Sequence, residues 1–244
     1  MGSHCLDCAK AARPDVKTKV KFWNARQPTL VTFALMAVNI SVFLYVALKD
    51  PGSLGGRSGV TREQFDLGLN EFFFQDGKND YYRLVTAGFL HFGIIHLAFN
   101  MLLLFQLGQM LERSLGRLRF GLLYAAGLLG GSAGVLLIGG NGITGGASGA
   151  VFGLMAAAAV GLQRQGVNVF STGIGTTLLL NLFITFAIPG ISIGGHLGGA
   201  VAGAICGFVM LAPKWRAFPK WAGYVTPAAV AAAAVIVSLV ASTA

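Results

Sequence analysis

Acidic residues run out early in this sequence. All nine aspartates and glutamates of the 244-residue chain lie at or before Glu112, so no reaction centre in residues 113–244 can draw a carboxylate from its own half. Charge of either sign is scarce. Charged residues make up 11% of the chain and hydrophobic ones 55%, whereas a soluble domain carries about 25% charged residues. That balance excludes a soluble globular domain and indicates an all-α, polytopic membrane bundle. Cysteine is scarce too. Cys5, Cys8 and Cys206 are too few and too unevenly spaced for a disulfide framework. Cys206 falls in an apolar, glycine-rich run and reads as a buried, inert thiol.

What is present is apolar sequence in long runs. Seven such stretches cover residues 29–48, 92–111, 120–139, 148–163, 167–188, 194–212 and 221–241. Most approach the roughly 20 residues that cross a bilayer core of about 30 Å, and the fourth is short. The net charge of +9 resides in the connections between these runs, which argues for membrane topology and against nucleic-acid binding. Six basic residues precede the first run, and Arg113, Arg117, Arg119, Arg164, Lys214, Arg216 and Lys220 mark alternate connections further on. The alternation predicts a cytoplasmic N-terminus and an outer-face C-terminus. The long first loop is the exception, and its basic and acidic residues nearly cancel.

Residues 1–27 are polar and basic, with no cleavage-site pattern after the first apolar run, so that run reads as a retained signal anchor. His4, Cys5 and Cys8 resemble half of a zinc site, but no second pair of ligands follows them. A vestigial tail is the simpler reading. The first loop, residues 49–85, mixes Phe65, Phe72, Phe73 and Phe74 with charges ahead of Tyr81, Tyr82 and Arg83. That pattern predicts an interfacial amphipathic segment in the outer leaflet, with a partner-binding loop as the alternative.

Polar residues converge at one depth. Ser148 follows a glycine-rich loop and opens an apolar helix, where free backbone N–H groups and the helix dipole favour an anion. An N-cap serine is the bland alternative. His96 and Asn100, four apart, share one helix face near the outer end of the second apolar stretch, and His196 lies near the outer end of the sixth. Ser148, His96 and His196 precede Arg164, Glu112 and Lys214 by 16 to 18 residues, a height of about 24–27 Å at 1.5 Å per residue. All three therefore fall a few ångströms below the same membrane face. A non-helical loop at that depth is tolerated only inside protein or beside a water-filled cavity. Gly149, Gly153, Ala157 and Gly161 form a small-residue stripe, as do Gly195, Gly199, Gly203 and Gly207. Such stripes allow two backbones to pack closely and bring Ser148 toward His196, although ordinary membrane packing uses the same pattern.

These residues resemble the rhomboid intramembrane serine proteases. The resemblance rests on 91–101 (His-Phe-Gly-Ile-Ile-His-Leu-Ala-Phe-Asn-Met), on Gly146-Ala147-Ser148-Gly149, and on Gly195-His196 with Gly199 and Gly203. Glu112, Gly116 and Arg119 add to it, and it covers about residues 30–212. Tyr82-Arg83 stands where the family often has Trp-Arg, a departure expected to alter loop packing and not chemistry. The resemblance implies a six-helix core over 28–212, followed by a linker and a seventh transmembrane helix in 213–244. It implies a Ser148–His196 dyad without a carboxylate, and an oxyanion hole from Asn100, His96 and the Ser148 backbone N–H. Phe152 stands where the family stacks an aromatic ring on the histidine, and no third group is expected to orient His196. His91 reads as structural. No metal or cofactor is implied. As partners the resemblance implies single-span or multi-span membrane-protein substrates in the lipid bilayer, and as location a bacterial plasma membrane with the site open to the outer face. A catalytically inactive relative that binds membrane clients is the alternative. A transporter would call for midplane polar sites and inverted repeats, and the sequence has neither.

Overall fold

A computed structural model describes residues 28–55, 59–75, 80–140, 142–216 and 218–242. The N-terminal residues His4, Cys5 and Cys8, offered above as zinc candidates, lie outside the described residues. The described residues form an all-α bundle. In chain order the helices are α1 (Leu30–Lys49), the short α2 (Arg62–Leu67) and α3 (Arg83–Thr86), α4 (Ile94–Leu115), α5 (Arg117–Ile138), α6 (Ser148–Arg164), α7 (Ile174–Ala187), α8 (Ile193–Met210) and α9 (Ala222–Ala241). Five of them, α1, α4, α5, α8 and α9, are long and apolar enough to cross a membrane. The fifth apolar stretch is not one continuous span. A 3-10 turn (Val169–Thr172), capped by the Asn168 side chain, precedes Gly173, and the helix after it has only 14 residues.

Burial identifies the centre. In α5, 67% of the apolar window is buried, against 22% in α1 and 17% in α9. The reason is glycine. A Cβ on Gly199 or Gly203 would lie 2.0 Å from the carbonyl oxygen of Gly149 or Gly153, so α8 and α6 touch backbone to backbone. The sequence stripes pair only these two helices, yet α5 is an equal third partner. Gly134 of α5 abuts Gly194 and Gly130 abuts Gly198, while Gly127 lies against Ala150 and Gly153 of α6. Close packing of this kind gains dispersion and weak backbone contacts where lipid offers no hydrophobic drive.

The outer helices are fixed differently. The buried Glu112 carboxylate of α4 accepts from the backbone N–H groups of Val31 and Thr32 (3.0 and 2.8 Å) and from Thr32 Oγ1 (2.7 Å). A carboxylate at the N-terminus of α1 satisfies its free donors and complements the helix dipole. In the last helix, α9, Arg119 of α5 reaches the Tyr224 ring.

The first loop, expected to be an interfacial segment, packs part of its apolar surface on the protein itself. It folds onto the bundle as short helical turns, with Leu69, Phe73, Phe74 and Leu84 buried against Val135 and Leu136 of α5. Arg83 is its hub. The buried guanidinium donates to Phe65 O (2.6 Å), Gly68 O (3.0 Å) and Asp80 (3.0 Å), and lies 3.5 Å from the centre of the Phe73 ring. Unpaired loop carbonyls at this depth would be costly, and one planar fork of donors satisfies them together. Phe65, Phe72, Tyr81 and Tyr82 remain exposed.

Candidate active site

The loop ahead of Ser148 is held by the first loop. Leu69 and Thr144 exchange two backbone hydrogen bonds (2.8 Å each), and Asn70 Nδ2 donates to Gly140 O and Gly142 O (2.9 Å each). Gly146 N donates to Ala87 O at 2.8 Å. These bonds pair the polar groups of an irregular, half-buried stretch with protein. They also fix the entry into α6.

Ser148 is the first residue of α6, and Ala147 is its N-cap without a side-chain cap bond. The Ser148 hydroxyl is therefore not used for capping. It lies 2.8 Å from His196 Nε2. His196 is on the first turn of α8, whose N-cap Ser192 accepts from Gly195 N. Phe152, one turn into α6, stacks on the imidazole with ring centres 4.2 Å apart and an interplanar angle of 18°. The glycine contacts between α6 and α8, among them Gly199 against the Gly149 carbonyl, bring the two side chains together.

A third group, not foreseen in the sequence, also reaches His196. Thr185 Oγ1 of α7 is 2.7 Å from His196 Nδ1. This corrects the expectation of an imidazole oriented by ring packing alone. Thr185 belongs to a run of apolar residues on a stretch without motif, and only the turn of α7 sets its face toward α8.

His96 and Asn100 lie on α4 across from the pair. His96 Nδ1 accepts from Phe92 N (3.3 Å), an arrangement that leaves the proton of the neutral ring on Nε2. Asn100 Nδ2 donates to His96 O (2.9 Å), one of its two N–H bonds. Gly146 marks the space between these groups and Ser148. A Cβ there would lie 2.9 Å from His96 Nε2 and 3.5 Å from Ser148 Oγ, and φ at Gly146 is +143°. The missing side chain leaves a small gap faced by a hydroxyl, an imidazole edge and the free N–H groups of the first turn of α6. An oxyanion formed on a carbon attached to Ser148 Oγ fits such a gap.

His91 is separate in kind. It is buried before α4; Nδ1 donates to Phe89 O (3.3 Å) and its carbonyl accepts from Gln64 Nε2 (3.3 Å). Burial, and then the nearby His96, push its pKa down to about 3, so it is neutral and ties the first loop to α4.

Known proteins resemble this chain in sequence. Rhomboid protease GluP of Bacillus subtilis (strain 168) is 32% identical over 208 residues, 84% of this chain and 39% of that protein. RHOMBOID-like protein 1 of Arabidopsis thaliana is 34% identical over 199 residues, 77% of this chain and 49% of that protein. Putative rhomboid protease YdcA of B. subtilis is 33% identical over 126 residues, covering 51% of this chain and 58% of that one. This chain thus spans 39% to 58% of the length of these relatives. The long apolar helices make it an integral membrane protein. The Rhomboid domain profile matches residues 78–213, more than half of the sequence, and on that match the chain belongs to the rhomboid family.

Proposed function

We propose that the protein is an intramembrane serine endopeptidase that cleaves other membrane proteins in or near a transmembrane helix. The observation that carries this reading is the 2.8 Å contact between Ser148 Oγ and His196 Nε2 within a membrane bundle. Ser148 Oγ attacks the scissile carbonyl carbon, and its proton passes to His196 Nε2. The tetrahedral oxyanion is held by the Ser148 backbone N–H, the second N–H of Asn100 Nδ2 and His96 Nε2–H. Collapse breaks the C–N bond, and the leaving amine takes the proton from Nε2. Water then attacks the acyl carbon, gives a proton to Nε2, and Ser148 leaves as the alcohol after regaining it. The dyad has no carboxylate, in keeping with the lack of acids beyond Glu112.

Substrate enters from the bilayer, and the basic connections support a cytoplasmic N-terminus with the site toward the outer face. Residues 28–212 would then form the protease core, with 213–244 an added linker and helix. A fluorophosphonate or isocoumarin probe tests the reading on purified protein. Labelling is expected for the wild type and lost in both Ser148→Ala and His196→Ala. Equal labelling of Ser148→Ala would remove Ser148 as nucleophile. No labelling of a folded wild type, with membrane clients still co-purifying, would favour the inactive binder. For Asn100→Ala, kcat is expected to fall about a hundredfold to a thousandfold with KM little changed. Equal losses in kcat and binding would argue against an oxyanion role.

A further inference from the structure

We infer that Thr185 is a positioning residue that selects the tautomer in which His196 can act as a base. The inference rests on the proteolytic reading above but concerns a residue on a different helix. Thr185 Oγ1 has two close neighbours: Asn181 O and His196 Nδ1, each at 2.7 Å. A carbonyl oxygen only accepts, so the single hydroxyl proton is committed to Asn181 O. The oxygen then has only lone pairs to offer His196, and Nδ1 must carry the proton. That leaves Nε2 as the unprotonated nitrogen, facing the Ser148 hydroxyl at 2.8 Å. The opposite tautomer would place an N–H against the nucleophile and leave nothing to receive its proton.

The placement of Thr185 supports this. Gly175 and Thr185 are the buried residues of α7, and Gly175 is covered by Phe170 of the turn just before it. Ile174, Leu178 and Leu182 are only half-buried against the core. Thr185 is thus the one fully buried residue that α7 presses against the rest of the bundle, and it meets His196. A buried hydroxyl bonded on both sides holds its place firmly, and threonine's branched side chain has few rotamers to choose from. On the opposite side of the gap His96 shows the reverse pattern: Nδ1 accepts from Phe92 N and Nε2 is left as the donor. Local partners on Nδ1 set the role of each ring.

The test combines nitrogen-15 NMR of the histidine-labelled full chain, in detergent or nanodiscs, with steady-state cleavage of a transmembrane peptide. The chain has four histidines, so the His196 signals are assigned by their loss in His196→Ala. The expected wild-type pattern for neutral His196 is a protonated Nδ1 and an unprotonated Nε2. Thr185→Val, which keeps the shape and removes the hydroxyl, is expected to populate the other tautomer and lower kcat about tenfold with KM unchanged. Thr185→Ser is expected to restore both signals and rate.

A wild-type His196 protonated on Nε2 would overturn the inference, as would a Thr185→Val protein with unaltered nitrogen signals, whatever its kcat. Failure of the serine variant to restore the signals would overturn it too. If the wild type neither cleaves nor labels, the proteolytic reading fails on its own, and the nitrogen signals still decide what Thr185 does to His196.

Discussion

The seam among α5, α6 and α8 and the flank formed by α7 hold their places by opposite means. In the seam, backbones touch through glycine, and a single Cβ at Gly203 would stand 2.0 Å from Gly153 O. On the flank, Leu179, Leu180, Phe183 and Phe186 are exposed, and α7 is fastened deep in the bundle only at Thr185. Ser148 and His196 belong to the seam, so their distance is set by contacts with no slack. The tautomer of His196 is set from the flank, by a helix with far less to hold it. Position and protonation of one side chain are therefore governed by two parts of the molecule with different rigidity.

Three substitutions separate these parts. Gly203→Leu should do the most damage, because the seam has no alternative packing: a loss of about 3 kcal/mol or more is expected, read as a drop in Tm in detergent together with loss of cleavage. If Gly203→Leu melts like the wild type, the seam is not as tight as its geometry says. Gly146→Ala should separate fold from chemistry. Its Cβ enters the gap between His96 and Ser148 at a backbone angle of +143°, so cleavage should be lost while stability falls by only about 1 kcal/mol. Retained activity would mean the gap is not where the reacting carbonyl goes. Phe183→Ala on the flank should change stability by less than about 0.5 kcal/mol, since its side chain is 68% exposed and leaves no internal cavity. A large drop in Tm would show that α7 is held by more than Thr185 and its half-buried neighbours.

Much of this arrangement is legible in the sequence, for physical reasons that differ from residue to residue. Apolar run length announces the long helices, because a bilayer imposes one length on all of them. The meeting of Ser148 and His196 follows from their shared depth and from glycine stripes beside each. The fifth stretch reads as one span because hydropathy does not register where Asn168 and Gly173 end one turn and begin another. The composition of the first loop does not tell which phenylalanines are buried, Phe73 and Phe74, and which exposed, Phe65 and Phe72, nor that several loop carbonyls converge on the Arg83 guanidinium. Thr185 has no sequence signal at all. Threonine in an apolar helix is common, α7 has three (Thr176, Thr177 and Thr185), and which face each occupies depends on where α7 starts.

The pairing of Leu69 and Asn70 with the chain on either side of Thr144 has a consequence for how such a protein can vary. The surroundings of Ser148 are partly set about eighty positions upstream, in a segment of short helical turns. A graft of residues 59–75 from a relative would leave every long helix unaltered and still retune the serine. Variation around Ser148 can thus accumulate in a segment that belongs to none of the long helices.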